Sequence, residues 1–166
     1  MEDKGLKCEI SKMLMFFKIP TNFYGYEFLK EGIYLAVMDK SYISSYTKVL
    51  YPAIGEKFGV KGAVVERNIR TAITKAYDAG GLLGFNEVFN ELVYDNSYKM
   101  TNTEFISMIL ELIHINLSRK ERGIPCMNRH INENYEQEKR ELFRRVYQDF
   151  YKDEILKDKK KSDFEY

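Results

Sequence analysis
A chain of 166 residues, 45% of them apolar and 14% aromatic, is long enough to bury a core of its own. Its formal charge is only +1, so any affinity for a polyanion must come from where the charges sit and not from their sum. There is no apolar run of the roughly 18 residues a membrane helix needs and no signal-peptide core at the N-terminus, while Cys8 and Cys126 lie too far apart for metal spacing. A reducing, cytoplasmic setting with free thiols is the expectation.

With three prolines and many Leu, Ile, Lys and Glu, the chain is expected to be all-α. Ile10, Met13, Leu14 and Phe17 fall at helical spacing and predict a first helix over Cys8–Phe17. Ile19-Pro20 stops it, because the residue before proline avoids the α region. Thr21 or Asn22 then caps a short second element. A third helix over Tyr26–Asp39 turns Leu29, Ile33, Leu35, Ala36 and Val37 inward. Lys40–Ser45 reads as a polar connection, and Ser44, Ser45 or Thr47 is available to cap the next helix.

The stretch Val49–Tyr77 reads as two helices joined by a tight turn. Pro52 suits a first helical turn, where its missing N–H has no partner to lose. Gly59 ends this helix, since glycine takes a left-handed C′ conformation at little cost. Gly55 allows close approach, and Val60 is expected to fill the corner between the helices. The second helix, Lys61–Tyr77, spaces Val65, Ile69, Ala72, Ile73 and Ala76 inward. Its other face carries Lys61, Glu66, Arg67, Arg70, Thr71 and Lys75. A small residue at Gly55, a glycine at Gly59 and an apolar residue at Val65 form a helix-turn-helix spacing. Between Lys57 and Tyr77 there are five Lys/Arg and one Glu, an asymmetry that the net charge hides. The plainer alternative is a solvated charged helix in an ordinary bundle.

Gly80-Gly81 ends the long helix. Leu82–Phe89 is expected to be a short helix or an irregular loop anchored by Leu83, Phe85, Val88 and Phe89, and Tyr94–Met100 a loop. Thr101, followed by Glu104, caps a helix over Thr103–Arg119. That helix carries Phe105, Ile106, Ile109, Leu112, Ile113 and Leu117 over a wide apolar arc, as a core or dimer helix would. After residue 117 the composition becomes strongly charged, with 13 basic and 11 acidic side chains. Gly123-Ile124-Pro125 is a break, a last helix is expected from Asn132 or Asn134 to about Lys157, and the tail Asp158–Tyr166 is expected to be disordered.

The residues through position 119 resemble the C-terminal DNA-binding domain of stage-zero sporulation protein A, the master sporulation regulator of endospore-forming bacteria. The resemblance is carried by Ile19-Pro20, Gly25-Tyr26, Leu29-Lys30-Glu31, Ile33, Thr47-Lys48-Val49-Leu50-Tyr51-Pro52, Lys57-Phe58, Val65-Glu66-Arg67, Ile69-Arg70, Thr101-Asn102 and Glu104-Phe105-Ile106. It implies a six-helix domain over residues 1–119 that binds a short DNA box and regulates transcription, with residues 120–166 as a charged helical extension outside the match. In the full regulator a phosphorylatable receiver domain comes first; none is expected here, nor control through it. The family usually has Ser-Arg where this chain has Ala63-Val64, and His where it has Thr71. An altered or relaxed box is therefore expected, since an arginine that reads guanine bidentately is worth roughly 1–3 kcal/mol of discrimination.

On this reading the partner is double-stranded DNA. Glu66 is placed to accept from a cytosine amine and Arg67 to reach a base or a phosphate, with Thr71 beside them on the same face. Lys48, Lys61, Arg70 and Lys75 are expected at phosphates, where they set affinity and not sequence. By family analogy, residues 78–90 touch the sigma subunit of RNA polymerase. A homodimer surface is expected on Thr103–Arg119 or on the helix beyond residue 134. His114 reads as a core or interface histidine and His130 as a loop residue, and both cysteines read as structural. No catalytic, metal or cofactor site is expected. The rival reading is an interaction module that kept the scaffold and acts on a regulator or on polymerase without reading DNA specifically.

Overall fold
The computed structural model describes residues 4–123 and residue 137. Apart from residue 137, the expected extension helix, the tail, Cys126 and His130 lie outside the described residues. Among residues 4–123 six α-helices follow one another: α1 (Lys4–Phe16), α2 (Tyr24–Met38), α3 (Tyr51–Phe58), α4 (Gly62–Asp78), α5 (Gly84–Phe89) and α6 (Asn102–Glu121). Among the described residues there is no strand, so the fold is all-α, as composition and periodicity indicated.

Several boundaries shift for identifiable reasons. α1 begins at Lys4, four residues before the expected start at Cys8. No separate element forms around Thr21–Asn22; the chain turns there, and Phe23 in extended conformation leads into α2. The expected polar connection winds instead into a 3-10 turn over Lys40–Ser44, begun by Asp39, whose carboxylate accepts from the Ser41 N–H at 2.8 Å. That bond holds the exposed Asp39 carboxyl below its ordinary pKa. Ser45 then accepts from the Lys48 N–H and opens a π-helical turn, Tyr46–Leu50, that runs into α3.

The core is built around α2, which packs on α1, α3, α4 and α6. Leu29 and Ile33 from α2, Leu50 and Ile54 around α3, Ile69 and Ile73 from α4 and Phe105 from α6 are all completely or almost completely buried. Phe17 stacks on Phe85 with ring centroids 4.2 Å apart, and both meet the edge of Phe105. This cluster holds the end of α1, α5 and the start of α6 together. Beside α5, the Asn86 side chain accepts from the Val93 and Tyr94 N–H groups at 2.9 Å and donates to the Tyr94 carbonyl, fastening the loop that leads to α6.

Three expected core side chains are displaced. Val60 does not fill the corner between α3 and α4; it is 37% exposed, and its carbonyl, not its side chain, lies against Gly55. Leu82 is fully buried and Leu83 exposed, because the left-handed turn at Gly80 sets the phase of the chain one residue from that assumed. Leu117 is exposed near the end of α6, while Asn116 beside it is buried. No helix of the described residues is long and apolar enough to cross a membrane.

Candidate nucleic-acid interface
α3 and α4 form the helix-turn-helix. Gly59 closes α3 with φ +69°, the left-handed conformation expected at this turn. A Cβ on Gly55 would lie 2.4 Å from the Val60 carbonyl oxygen, so the chain can turn this tightly only above a residue without a side chain. On another flank, a Cβ on Gly25 would meet the Asn68 carbonyl of α4 at 2.2 Å. α4 is thus held between the turn and the start of α2, with main chain against main chain at both places.

The inward stripe of α4 is the one its periodicity indicates: Val65, Ile69, Ala72, Ile73 and Ala76 are all buried. Its outward face carries Lys61, Ala63, Arg67, Arg70, Thr71 and Lys75, all exposed. Ala63, Arg67, Thr71 and Lys75 follow one another at four-residue intervals and so form one row along the helix. The Arg67 guanidinium has no partner among the described residues and stands in the middle of that row. The Thr71 hydroxyl donates to the Arg67 carbonyl at 3.0 Å, a bond that uses its one proton and leaves the methyl and an acceptor oxygen for a ligand. Lys75 lies over the Phe23 ring, 4.9 Å from its centroid, at the end of the face nearest α2.

Beside this row runs a second pair. Arg70 donates from Nη2 to Glu66 Oε1 at 2.5 Å across one turn; its side chain keeps 64% of its exposure, and that of Glu66 keeps 31%. Lys61 sits at the N-terminal boundary of α4, with its carbonyl accepting from the Val64 and Val65 N–H groups. Lys48 is exposed but lies on the turn before α3 and not on α4. Of the seven residues singled out in the sequence, six therefore share α4 or its first boundary, and one comes from the neighbouring element.

Residues 10–113 match the protein family described as Sporulation initiation factor Spo0A C terminal. The chain belongs to this family. The match begins inside α1, ends inside α6 and takes in the whole helix-turn-helix. At family level this is the DNA-binding effector domain of a sporulation transcription regulator.

Two parts of this family domain are not legible in the sequence. Asn102, the first residue of α6, is only 7% exposed and donates from Nδ2 to the Glu66 carbonyl at 3.0 Å. Tyr51, the first residue of α3 and 4% exposed, has its phenol beside the same amide. Burial pushes that phenol's pKa up, and the Asn102 amide opposes the shift only in part. Glu31 is the other: 5% exposed within α2, it is bonded by Lys7 of α1 at 2.9 Å and Lys57 of α3 at 2.8 Å. Glu31, Tyr51 and Asn102 stand among the residues that carry the family resemblance, but no local spacing gives their partners.

Proposed function
We propose that α4 enters the major groove of double-stranded DNA and reads a short box there, with α3 bracing it against the backbone, so that the chain regulates transcription by specific DNA binding. The observation that supports this best is the Arg67 guanidinium, exposed and without a partner among the described residues, in the centre of a helix face opposite a fully buried stripe. In this reading Arg67 contacts a base edge and Glu66 a cytosine amine. Thr71 meets the C5 methyl of a thymine with its own methyl, since its one hydroxyl proton is already given to the Arg67 carbonyl and cannot be donated to a base. Arg70, Lys75, Lys61 and Lys48 hold phosphates and set register and affinity.

Residues 1–119 are proposed as the effector domain and 120–166 as an appendage to it. Residues 78–90 are proposed as a contact for the sigma subunit of RNA polymerase, a proposal that the exposed Leu83 supports. α6 is proposed as a self-association surface, supported by the exposed Leu117.

The test is a selection of preferred duplexes from a random pool, followed by anisotropy titration of the winner and a scrambled duplex at two salt concentrations. Specific reading requires a preference that survives at both salts. Equal affinities with a steep salt slope would leave only backbone binding and overturn the reading.

A further inference from the structure
The inner side of α4 is an apolar stripe, and the side chain of Asn102 is a polar group buried against the same helix. Its surroundings fix where it stands. Thr101 and Glu104 form a reciprocal capping box: the Glu104 N–H donates to Thr101 Oγ1 at 3.2 Å, and the Thr101 N–H donates to Glu104 Oε2 at 2.7 Å. The start of α6 is thereby pinned, and Asn102 follows it directly. From there the amide reaches a main-chain carbonyl 36 positions away, that of Glu66, whose own side chain is paired with Arg70 on the outward face. Tyr51 closes the group from the start of α3.

Apolar contacts between α4 and its neighbours resist separation but have little direction, and a helix held by them alone can roll or slide by a fraction of an ångström at small cost. A buried hydrogen bond to the main chain is directional and is expensive to leave unmade. Here it is made at the one turn of α4 that also bears Glu66, Arg67 and, through the ion pair, Arg70.

We infer that Asn102 is a positioning residue for DNA reading: its bond to the Glu66 carbonyl fixes the roll of α4, and with it the angle at which Glu66 and Arg67 meet the base edges. This rests on the reading that α4 recognises a specific box. Asn102 touches no DNA in this arrangement and acts only through the helix it holds.

The test compares the wild-type chain with Asn102→Leu, which keeps the branched outline but has no donor, and Asn102→Ala, which leaves room where the bulkier leucine side chain is crowded. Each is titrated against the duplex selected by the wild type and against scrambled DNA, with the salt slope measured for both, and thermal unfolding establishes that the variant is folded. The expected result is a preference ratio reduced about tenfold, with affinity for scrambled DNA and its salt slope unchanged, because the exposed cations remain. A folded variant with an unchanged ratio would overturn the inference. Should both variants fail to fold, the wild type decides: the Asn102 side-chain amide protons, followed by NMR, are expected to be protected from exchange in the free and the specifically bound protein, and rapid exchange in the complex would overturn it. Absence of any preference in the wild type is a different outcome and counts against specific reading itself.

Discussion
Arg70 and Glu66 are joined at 2.5 Å on the outward face of α4, so the carboxylate on that face is already held by one of its cations. An exposed pair of this spacing contributes only roughly 0.2–0.5 kcal/mol and yields readily to a phosphate or a base. Removing the acid frees the arginine. Glu66→Ala is expected to raise affinity for scrambled duplexes and steepen the salt slope by about one counterion, while the preference for the selected duplex falls with the lost cytosine contact, measured by anisotropy across a salt series. Weaker binding to scrambled DNA in this variant would show that Arg70 faces no phosphate.

Arg67 and Lys75 separate reading from attraction. Arg67→Ala is expected to lose about 1–3 kcal/mol of preference between the selected and scrambled duplexes. Lys75→Ala is expected to weaken both duplexes alike and lower the salt slope by about one. If both variants changed only the slope, Arg67 would be a phosphate contact.

Thr71 offers a methyl because its hydroxyl is bonded to the Arg67 carbonyl. Thr71→Val, which keeps a methyl, is expected to retain sequence preference, and Thr71→Ser to lose part of it. Deoxyuridine in place of the contacted thymidine should reproduce the serine effect in the wild type and add nothing in Thr71→Ser. Independent effects of the two changes would exclude this contact.

The turn makes two different demands on glycine. At Gly55 the obstacle is space, since a methyl would strike the Val60 carbonyl 2.4 Å away. At Gly59 nothing lies within 4 Å, and the obstacle is the φ of +69° alone. Gly55→Ala is expected to destabilise the chain by about 1–3 kcal/mol through displaced backbone, and Gly59→Ala by about 1 kcal/mol through the left-handed conformation. Denaturant unfolding of both variants measures the difference, and a more costly Gly59→Ala would reverse the assignment.

Tyr51 and Tyr94 have phenols whose pKa burial raises above the ordinary 10.0. As pH rises past that value the unfolded chain releases these protons before the folded one does. Their contribution to stability is therefore complete below the ordinary value of 10.0 and is lost as pH rises through the folded values. Unfolding midpoints from about pH 8 to about pH 11 should show this decline, and Tyr51→Phe should make it shallower. An equal slope in that variant would mean Tyr51 titrates as a free phenol.

Where the sequence was informative, it was so through local rules. Five apolar residues at helical spacing on α4 all turned inward, Pro52 stood in the first turn of α3, and Gly59 took the left-handed conformation. The Thr101 cap with its glutamate three residues on was legible for the same reason. Val60 and Leu83 were misplaced where the chain leaves a left-handed residue, because helical periodicity does not carry across such a turn. Glu31 stood in the sequence only as part of the family motif; its two lysines come from α1 and α3, 24 and 26 positions away along the chain.

The sequence by itself determined that this chain is helical, where its helix-turn-helix lies and which face of α4 is charged, because each of these depends on residues within a turn or two of one another. Only the tertiary structure decided that Asn102 holds the Glu66 carbonyl and that Gly25 lets α2 cross α4 at Asn68. Those contacts join residues tens of positions apart, and their geometry comes from how whole helices pack, which no local spacing encodes.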